Sequence, residues 1–299
     1  MALSFEIEFG SDSATAFQSA SRAGLRLPLP CLAGEGLERI FGPVVPAGEA
    51  EGFRLYAAGD LLLGCAVEPQ QGGMEPMATA LYRRLLKAVE GKFLYRIWNY
   101  VPEINREIAG QENYRAFNAG RARAFAETFG CGYRQKLAAA SGVGCDGSTL
   151  AVVFVAGTVP GRQFENPQQV PAYNYPPEHG ASSPSFSRAT AVAAGGRRFL
   201  FISGTAAIKG HRTIAPESIE GQIDCTLENL RLIAHASGGD QPGAGRRHFK
   251  VYLRHAADLA LARARLEADL FQPGDKVVWL QANLCRAELR IEIEQTLVG

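Results

Sequence analysis

The order of predicted strands and helices constrains this fold most, because a similar order occurs in both halves of the chain. After residue 187 the patterns run strand, strand, helix, strand, helix, strand, strand, and residues 1–157 follow a similar course. The repeat is one of pattern and not of residue identity. Such a repeat is typical of a duplicated α+β domain. We therefore expect an α+β protein with two domains, in residues 1–157 and 188–299.

The first half carries clear patterns for these elements. Apolar residues recur every fourth position at Met77, Leu81, Leu85 and Val89, which predicts a helix that stops near Gly91. The other predicted elements of this half are a helix at residues 111–139 and strands at FEIEF, on both sides of the turn 58–60, at FLYRIWNYVP and at TLAVVFVAG.

The second half shows the same kinds of element. Apolar residues from Ile219 to Ile233 fall on one face of a helix predicted over residues 217–237, and another helix is predicted over residues 259–271. Strands are predicted on both sides of the Gly195-Gly196 turn, at HFKVYLRH, at KVVWLQANLC and at LRIEIEQTL, which closes the sheet.

Between the halves, residues 158–187 contain six prolines and no sustained helix or strand period. Two interpretations stand. The segment is a flexible linker, or it is an ordered loop that covers or lines a site. Phe164, Tyr173, Tyr175 and Phe186 favour the second interpretation, since a flexible linker does not need aromatic side chains.

Composition excludes several classes of function. The 299 residues carry a net charge of +1, which gives no broad electrostatic case for nucleic acid or an anionic membrane. The six cysteines are scattered, and the five histidines form no HxxxH or HExxH pattern, so no metal site is predicted. The N-terminal sequence is not that of a signal peptide, and no apolar run approaches the ~20 residues of a membrane helix. We expect a soluble cytoplasmic protein.

The last strand pattern raises a question about its acidic residues. Leu289, Ile291 and Ile293 alternate with charged positions that include Glu292 and Glu294. One interpretation is a sheet edge whose charged face lies in water. The other is that one glutamate points into a cleft as a general acid.

Two sets of stretches resemble known families. The strands FLFISGTAAI, VYLRH, VVWLQANLC and LRIEIE together resemble the RidA/YjgF family, in which such strands border a small-molecule cleft. The middle of the chain resembles the chorismatase family in four stretches, which are FLYRIWNYVPEIN (93–105), YRAFNAGR (114–121), FENPQQVPAYNYPPEHG (164–180) and SPSFSRA (183–189).

The resemblance implies two fused RidA/YjgF-like domains, each a mixed β-sheet with two helices packed on one face. It makes residues 158–187 a connecting loop near the active site and places the catalytic residues in the C-terminal domain. Chorismatases split pyruvate from chorismate without a cofactor. Imine-hydrolysing RidA proteins have an arginine at the start of the penultimate strand, where this chain has Val277. Imine deamination is therefore not expected.

The partner implied is a small molecule, chorismate, and the protein would be a monomer or a homo-oligomer such as a trimer. Glu292 matches the family's general acid, with Glu294 as its competitor on the same strand face. Cys285 lies seven residues before Glu292 and matches the members that make a hydroxybenzoate. The implied products are 3-hydroxybenzoate and pyruvate, with 4-hydroxybenzoate as a further product. Members with a small residue at the position of Cys285 add water and release a dihydrodiol, which is the first alternative. A RidA-like binding protein without turnover is the second.

Chorismate is a dianion, and guanidinium groups bind carboxylates in two-point contacts. The candidates are Arg115, Arg121, Arg188 and Arg254, whereas the arginines at 286 and 290 are expected to be solvated.

Three further groups complete the predicted substrate site. Tyr173 and Tyr175 are alternative partners for the ring and a carboxylate, and the residues do not decide between them. Gly204 and Ala206 in ISGTA are expected near the ring, where they determine the space available to it.

Overall fold

The computed structural model describes residues 2–108, 110–241 and 245–299. A small four-stranded sheet opens the chain, in the order β2-β3-β1-β5. Its strands, with the separate short strand β4, are β1 (Ser4–Phe9), β2 (Thr15–Gln18), β3 (Arg22–Leu27), β4 (Cys31–Ala33) and β5 (Leu37–Glu38). Only β1 of this set was predicted.

The first large sheet has six strands in the order β12-β9-β13-β8-β7-β6, and two helices pack on one of its faces. Its elements, with one small hairpin, are β6 (Val45–Ala50), β7 (Phe53–Ala58), β8 (Leu61–Pro69), α1 (Met74–Ala88), β9 (Phe93–Pro102), β10 (Glu107–Ile108), β11 (Gln111–Glu112), α2 (Asn113–Phe129), β12 (Ala139–Cys145) and β13 (Thr149–Gly157). The predicted helix at 111–139 was too long, because a 3-10 turn over Gly130–Lys136 and β12 follow α2.

The second large sheet has seven strands in the order β14-β15-β16-β21-β19-β20-β4, again with two helices on one face. Its other strands are β14 (Arg162–Phe164), β15 (Ala189–Ala194), β16 (Arg197–Ala206), β19 (Arg246–Leu253), β20 (Lys276–Gln281) and β21 (Ile291–Val298), and its helices are α3 (Ile219–Ser237) and α4 (Leu259–Asp269). A separate hairpin is formed by β17 (Ile208–Lys209) and β18 (Arg212–Thr213). The predicted α+β class with two fused units is confirmed.

The position of β21 decides the question raised by its glutamates. It lies in the middle of the second sheet, antiparallel to β16 on one side and to β19 on the other. Ile291 and Ile293 face the helices, and every residue of the strand is buried. The interpretation of a solvated sheet edge is therefore wrong.

The two large sheets meet through the faces that carry no helices. Main-chain groups of β12 bond to hydroxyls of the second sheet: Ala139 N donates to Thr190 Oγ1 and Ala140 N to Ser203 Oγ, each at 2.9 Å. At the far edge, β4 from the N-terminal region pairs with β20. The strands of the two halves interlock, so the domain boundaries at 157 and 188 stay a prediction.

The segment 158–187 follows a defined path between the sheets. It contains β14, which pairs with β15, and two short 3-10 turns at Ala172–Asn174 and Pro177–His179. No helix in the described ranges is long and apolar enough to span a bilayer.

Candidate active site

A cavity of about 680 Å³ lies where the two large sheets meet, within the size range of small-molecule sites. Its walls come from α2 and β12 of the first half, from the loop 158–187, and from β16 and β21 of the second half. Eight of the ten predicted site residues line it, namely Arg115, Arg121, Tyr175, Arg188, Gly204, Ala206, Cys285 and Glu292.

Glu292 is the acidic residue at the floor of this cavity. Its side chain comes from the centre of β21 and is only 3% exposed. Burial, with the negative charge of Glu294 as the second cause, raises the pKa of Glu292 to about 8, and the guanidinium groups of Arg96 and Arg188 lower it only in part. At neutral pH the side chain is therefore a carboxylic acid that can donate a proton.

The glycine at position 204 leaves room for the carboxyl group of Glu292. The register of β16 against β21 shifts between Ile202 and Thr205, so Gly204 lies in a bulge beside Glu292. A Cβ at Gly204 would lie 1.9 Å from Oε1 of Glu292, closer than any real contact. Glycine is therefore required at this position for Glu292 to keep its place.

Glu294 lies two residues further along β21 in a closed cluster of cations. Its carboxylate accepts hydrogen bonds from Arg96 Nη2 and Trp98 Nε1, each at 2.7 Å, and from Ser141 Oγ. The ammonium of Lys250 lies 2.7 Å from Oε1. Although burial acts to raise the pKa of Glu294, the charges of Lys250 and Arg96 and these hydrogen bonds hold it below its usual value. Glu294 is thus a fixed anion and not a proton donor.

Cys285 borders the cavity beside the acid. Its Sγ lies 4.0 Å from Oε2 of Glu292, in the geometry of a weak S–H donor. Desolvation and the carboxyl of Glu292 raise the pKa of the thiol to about 12. Cys285 is therefore a neutral thiol at physiological pH, which argues against a thiolate nucleophile.

Two buried guanidinium groups point to the recognition of an anion. Arg188 donates from Nη2 to Tyr175 Oη at 2.7 Å, and Arg121 lies against the rings of Tyr82 and Phe117. Within the described residues, the Nε atoms of Arg121 and Arg188 have no hydrogen-bond partner. A buried donor without a partner is costly, so a ligand carboxylate is the natural complement.

Two more arginines lie closer to the mouth of the cavity. Arg115 is about half exposed and lies 3.5 Å from a carboxylate oxygen of Glu112. Arg286 also lines the cavity, and its guanidinium lies 5.5 Å from the ring centre of Tyr175. Arg286 was expected to be solvated. It was missed because its position in a turn, seen from sequence alone, resembles that of a surface residue.

Two predicted substrate ligands lie outside the cavity lining. The guanidinium of Arg254 donates to the carbonyl oxygens of Leu289 and Arg286 at 2.7 and 2.9 Å, so it holds the turn that carries the cavity-lining Cys285. Tyr173 packs against the helix-side core of the first half. The predicted direct contacts of Arg254 and Tyr173 with a substrate therefore have no geometric support.

Arg290 was expected in solvent near the last turn. Arg290 instead forms an ion pair with Asp258, with an N···O distance of 2.6 Å. Glu288, in the same turn, is exposed and lines the cavity.

Sequence reasoning missed several lining residues, among them Tyr114, Ser141 and His179. Tyr114 opens the quoted stretch YRAFNAGR, so the signal was present but unused. Ser141 accepts a hydrogen bond from Gly204 N at 3.0 Å while it donates to Glu294, and so links the two glutamate environments. Ser141 lies on β12, which was not predicted because its sequence, AASGVGC, is rich in small residues.

Comparisons with known proteins identify the family of this chain. Residues 42–156 match the family model described as chorismatase FkbO/Hyg5-like, N-terminal. The chain is 32% identical to a 3-hydroxybenzoate synthase of Streptomyces hygroscopicus, over 83% of this chain and 76% of that protein. It is also 32% identical to a chorismatase of Streptomyces rapamycinicus, over 83% and 78% of the two chains.

A solved structure extends the likeness to nearly the whole chain. A crystal structure of a chorismatase superposes with a TM-score of 0.86 at 29% identity, over 99% of this chain and 92% of that one. Sequence and structure therefore show that the chain belongs to the chorismatase family.

Proposed function

We propose that the protein converts chorismate into 3-hydroxybenzoate and pyruvate. The observation that carries this proposal is a neutral carboxylic acid, Glu292, beside a neutral thiol, Cys285, at the floor of a cavity with four arginines in its walls. One of the curated relatives bears the name 3-hydroxybenzoate synthase.

The charges of the cavity fit a dianion. Chorismate carries one carboxylate on its ring and one on its enolpyruvyl group, and two-point guanidinium contacts suit both. Arg121 and Arg188 are buried and present unpaired Nε donors deep in the site, whereas Arg115 and Arg286 lie nearer the mouth. We assign Arg121 and Arg188 to the carboxylate that enters the cavity first. We assign Arg115 and Arg286 to the other carboxylate.

The reaction begins with a proton. Glu292 gives its carboxyl proton to the terminal methylene carbon of the enolpyruvyl group, which turns the enol ether into an oxocarbenium ion. A carboxylic acid with an ordinary pKa would be ionised at neutral pH. The raised pKa of Glu292 keeps its proton available, and the negative charge of Glu294 helps to keep that pKa high.

Pyruvate then leaves as the bond between its ether oxygen and the ring carbon breaks, and the electron pair forms the ketone. The neighbouring ring hydroxyl attacks the same carbon and gives up its proton to the Glu292 carboxylate, which restores the acid. The resulting arene oxide opens, loses the proton on the carbon that bore the ether and becomes aromatic. The sum consumes no water, because chorismate has the composition of the two products together.

Cys285 acts in this scheme as a thiol. It is close enough to Glu292 to occupy space beside the reacting carbons that a water molecule would otherwise fill. A polarisable, weakly donating neighbour favours the internal attack over the addition of water, which would release a dihydrodiol.

The test is turnover of chorismate by the purified protein in water enriched in oxygen-18. Pyruvate is followed with a coupled dehydrogenase. The ring product is purified, and its oxygen-18 content is measured by mass spectrometry. We expect 3-hydroxybenzoate whose hydroxyl carries no label. A labelled dihydrodiol would contradict the internal attack, and the absence of pyruvate would remove the enzymatic proposal.

A further inference from the structure

Three donor side chains that the reaction does not use lie close together beside the cavity, and one of them, His179, lines it. Glu178 and His179 belong to the 3-10 turn at Pro177–His179, and His211 lies in the turn between β17 and β18. His179 Nε2 lies 3.0 Å from His211 Nδ1, and Glu178 Oε1 lies 3.4 Å from the former and 3.1 Å from the latter.

This triangle has the dimensions of one face of a metal coordination sphere. Zn²⁺ binds histidine nitrogen at 2.0–2.1 Å in tetrahedral sites, which places neighbouring donor atoms about 3.3 Å apart. Two imidazoles and one carboxylate are a donor set that zinc takes in proteins. No local sequence pattern indicates this donor set, because 32 positions separate the two histidines.

The backbone holds one of the three donor side chains in place. His211 is held in place by the backbone, because Gly210 exchanges main-chain hydrogen bonds of 2.8 and 2.9 Å with Gln168 and Val170 of the loop. The positive charges of Arg115 and Arg286 act against a cation, and the carboxylate of Glu178 offsets them in part.

We propose that Glu178, His179 and His211 form a binding site for a divalent transition metal ion such as Zn²⁺. The bound ion connects the turn Pro177–His179 of the loop to the β17–β18 hairpin, and it leaves coordination positions open. Because His179 also lines the cavity, the ion narrows the entrance and slows the exchange of substrate and products. This effect on turnover rests on the proposed function, whereas metal binding does not.

The site is tested by titration with Co²⁺, whose visible absorption reports nitrogen coordination, and by calorimetry with Zn²⁺. The variants are His211→Ala, at a side chain that is 24% exposed, and Glu178→Gln, at one that is 60% exposed, and both leave the catalytic groups unchanged. His235→Ala is the matched control, because His235 lies on the surface beside a single carboxylate of Asp240. We expect His211→Ala to weaken binding by more than about tenfold, and the control to bind as the wild type does.

Turnover provides the second readout. Zn²⁺ should lower pyruvate release by the wild type and the His235→Ala variant, and it should have little effect on His211→Ala. Identical Co²⁺ spectra in wild type and His211→Ala, with both proteins folded by circular dichroism, would overturn the site. Equal inhibition of the two would overturn its effect on the entrance. A protein that binds Co²⁺ through these residues but releases no pyruvate would contradict only the proposed function.

Discussion

The surroundings of Glu292 and Glu294 differ more than their sequence positions suggest. Both side chains leave the same face of β21, and both are 3% exposed. Glu294 meets Lys250 and Arg96 and remains ionised, whereas Glu292 faces a cavity and keeps its proton. Burial alone therefore does not decide the charge of a carboxyl group. The cations placed opposite it do.

The two environments also depend on each other. The fixed charge of Glu294 is the second cause of the raised pKa of Glu292, and Ser141 touches both regions. Arg96 and Trp98 of the cation cluster come from β9 in the other sheet. One half of the molecule thus supplies groups that set the proton affinity of an acid in the other half.

Replacing the acid should have the largest effect. Glu292→Gln removes the proton donor, and we expect pyruvate release to fall by about 10²–10⁴-fold. The same change should stabilise the fold at pH 7. The native pKa lies near 8 against an ordinary 4.5, so ionisation favours the unfolded chain as pH rises between those values, by roughly 3 kcal/mol at pH 7.

Both readouts of Glu292→Gln come from a coupled pyruvate assay and denaturant unfolding at pH 7. Unchanged turnover would remove Glu292 from the mechanism. A lower free energy of unfolding than that of the wild type would contradict its buried, neutral state.

Moving the acid without removing it should have the next largest effect. Gly204→Ala places a methyl group where Oε1 of Glu292 lies, and a displacement of about 1 Å costs about 10²-fold in rate. Gly132→Ala is the control, because a Cβ there meets open space. If Gly204→Ala kept the wild-type kcat, the position of the carboxyl group would not matter as we propose.

Removing the neighbouring charge should shift the pH dependence. The wild-type rate should be level below pH 8 and fall above it, as Glu292 loses its proton. In Glu294→Gln the repulsion is gone, so the pKa of Glu292 falls and the decline should begin about one pH unit lower. Profiles of kcat against pH measure this, with Glu267→Gln on the surface as control. Superimposable profiles would refute the coupling.

The smallest effect on rate is expected at the thiol. Cys285→Ala should change turnover by less than about tenfold but shift the ring product toward the dihydrodiol, since water can enter beside the reacting carbon. Chromatography of the products measures the ratio. Cys225→Ala, a buried cysteine of α3, is the matched control. An unchanged product ratio would mean that Cys285 only fills space.

The fold was predictable where local patterns were strong. The apolar periods of α1 and α3, the turn between β7 and β8 and the turn between β15 and β16 lie close to their predicted positions. The strands between residues 15 and 50 and β12 were missed, because they are short or rich in small residues. Their pairing partners lie far away in sequence, and no local pattern records them.

The candidate site was predictable only in part. The resemblance pointed to Glu292 and Cys285. That Glu294 is a fixed anion became clear only from the cations around it in the structure. Arg254 was assigned to substrate because it lies in VYLRH, one of the stretches that carry the resemblance, but an arginine at a strand end can also bind main-chain carbonyls. Arg286 was assigned to solvent for a related reason. Only the geometry of the turn after β20 separates these two arginines.

The short strand β4 has a consequence for how this chain can be divided. It extends the C-terminal sheet with three residues from near the N-terminus, antiparallel to β20, while the chain that follows β4 goes on to build the other sheet. A fragment that begins at residue 188 would expose the edge of β20, and a fragment that ends at 157 would carry an orphan strand. The C-terminal sheet is therefore complete only when both halves of the chain are present.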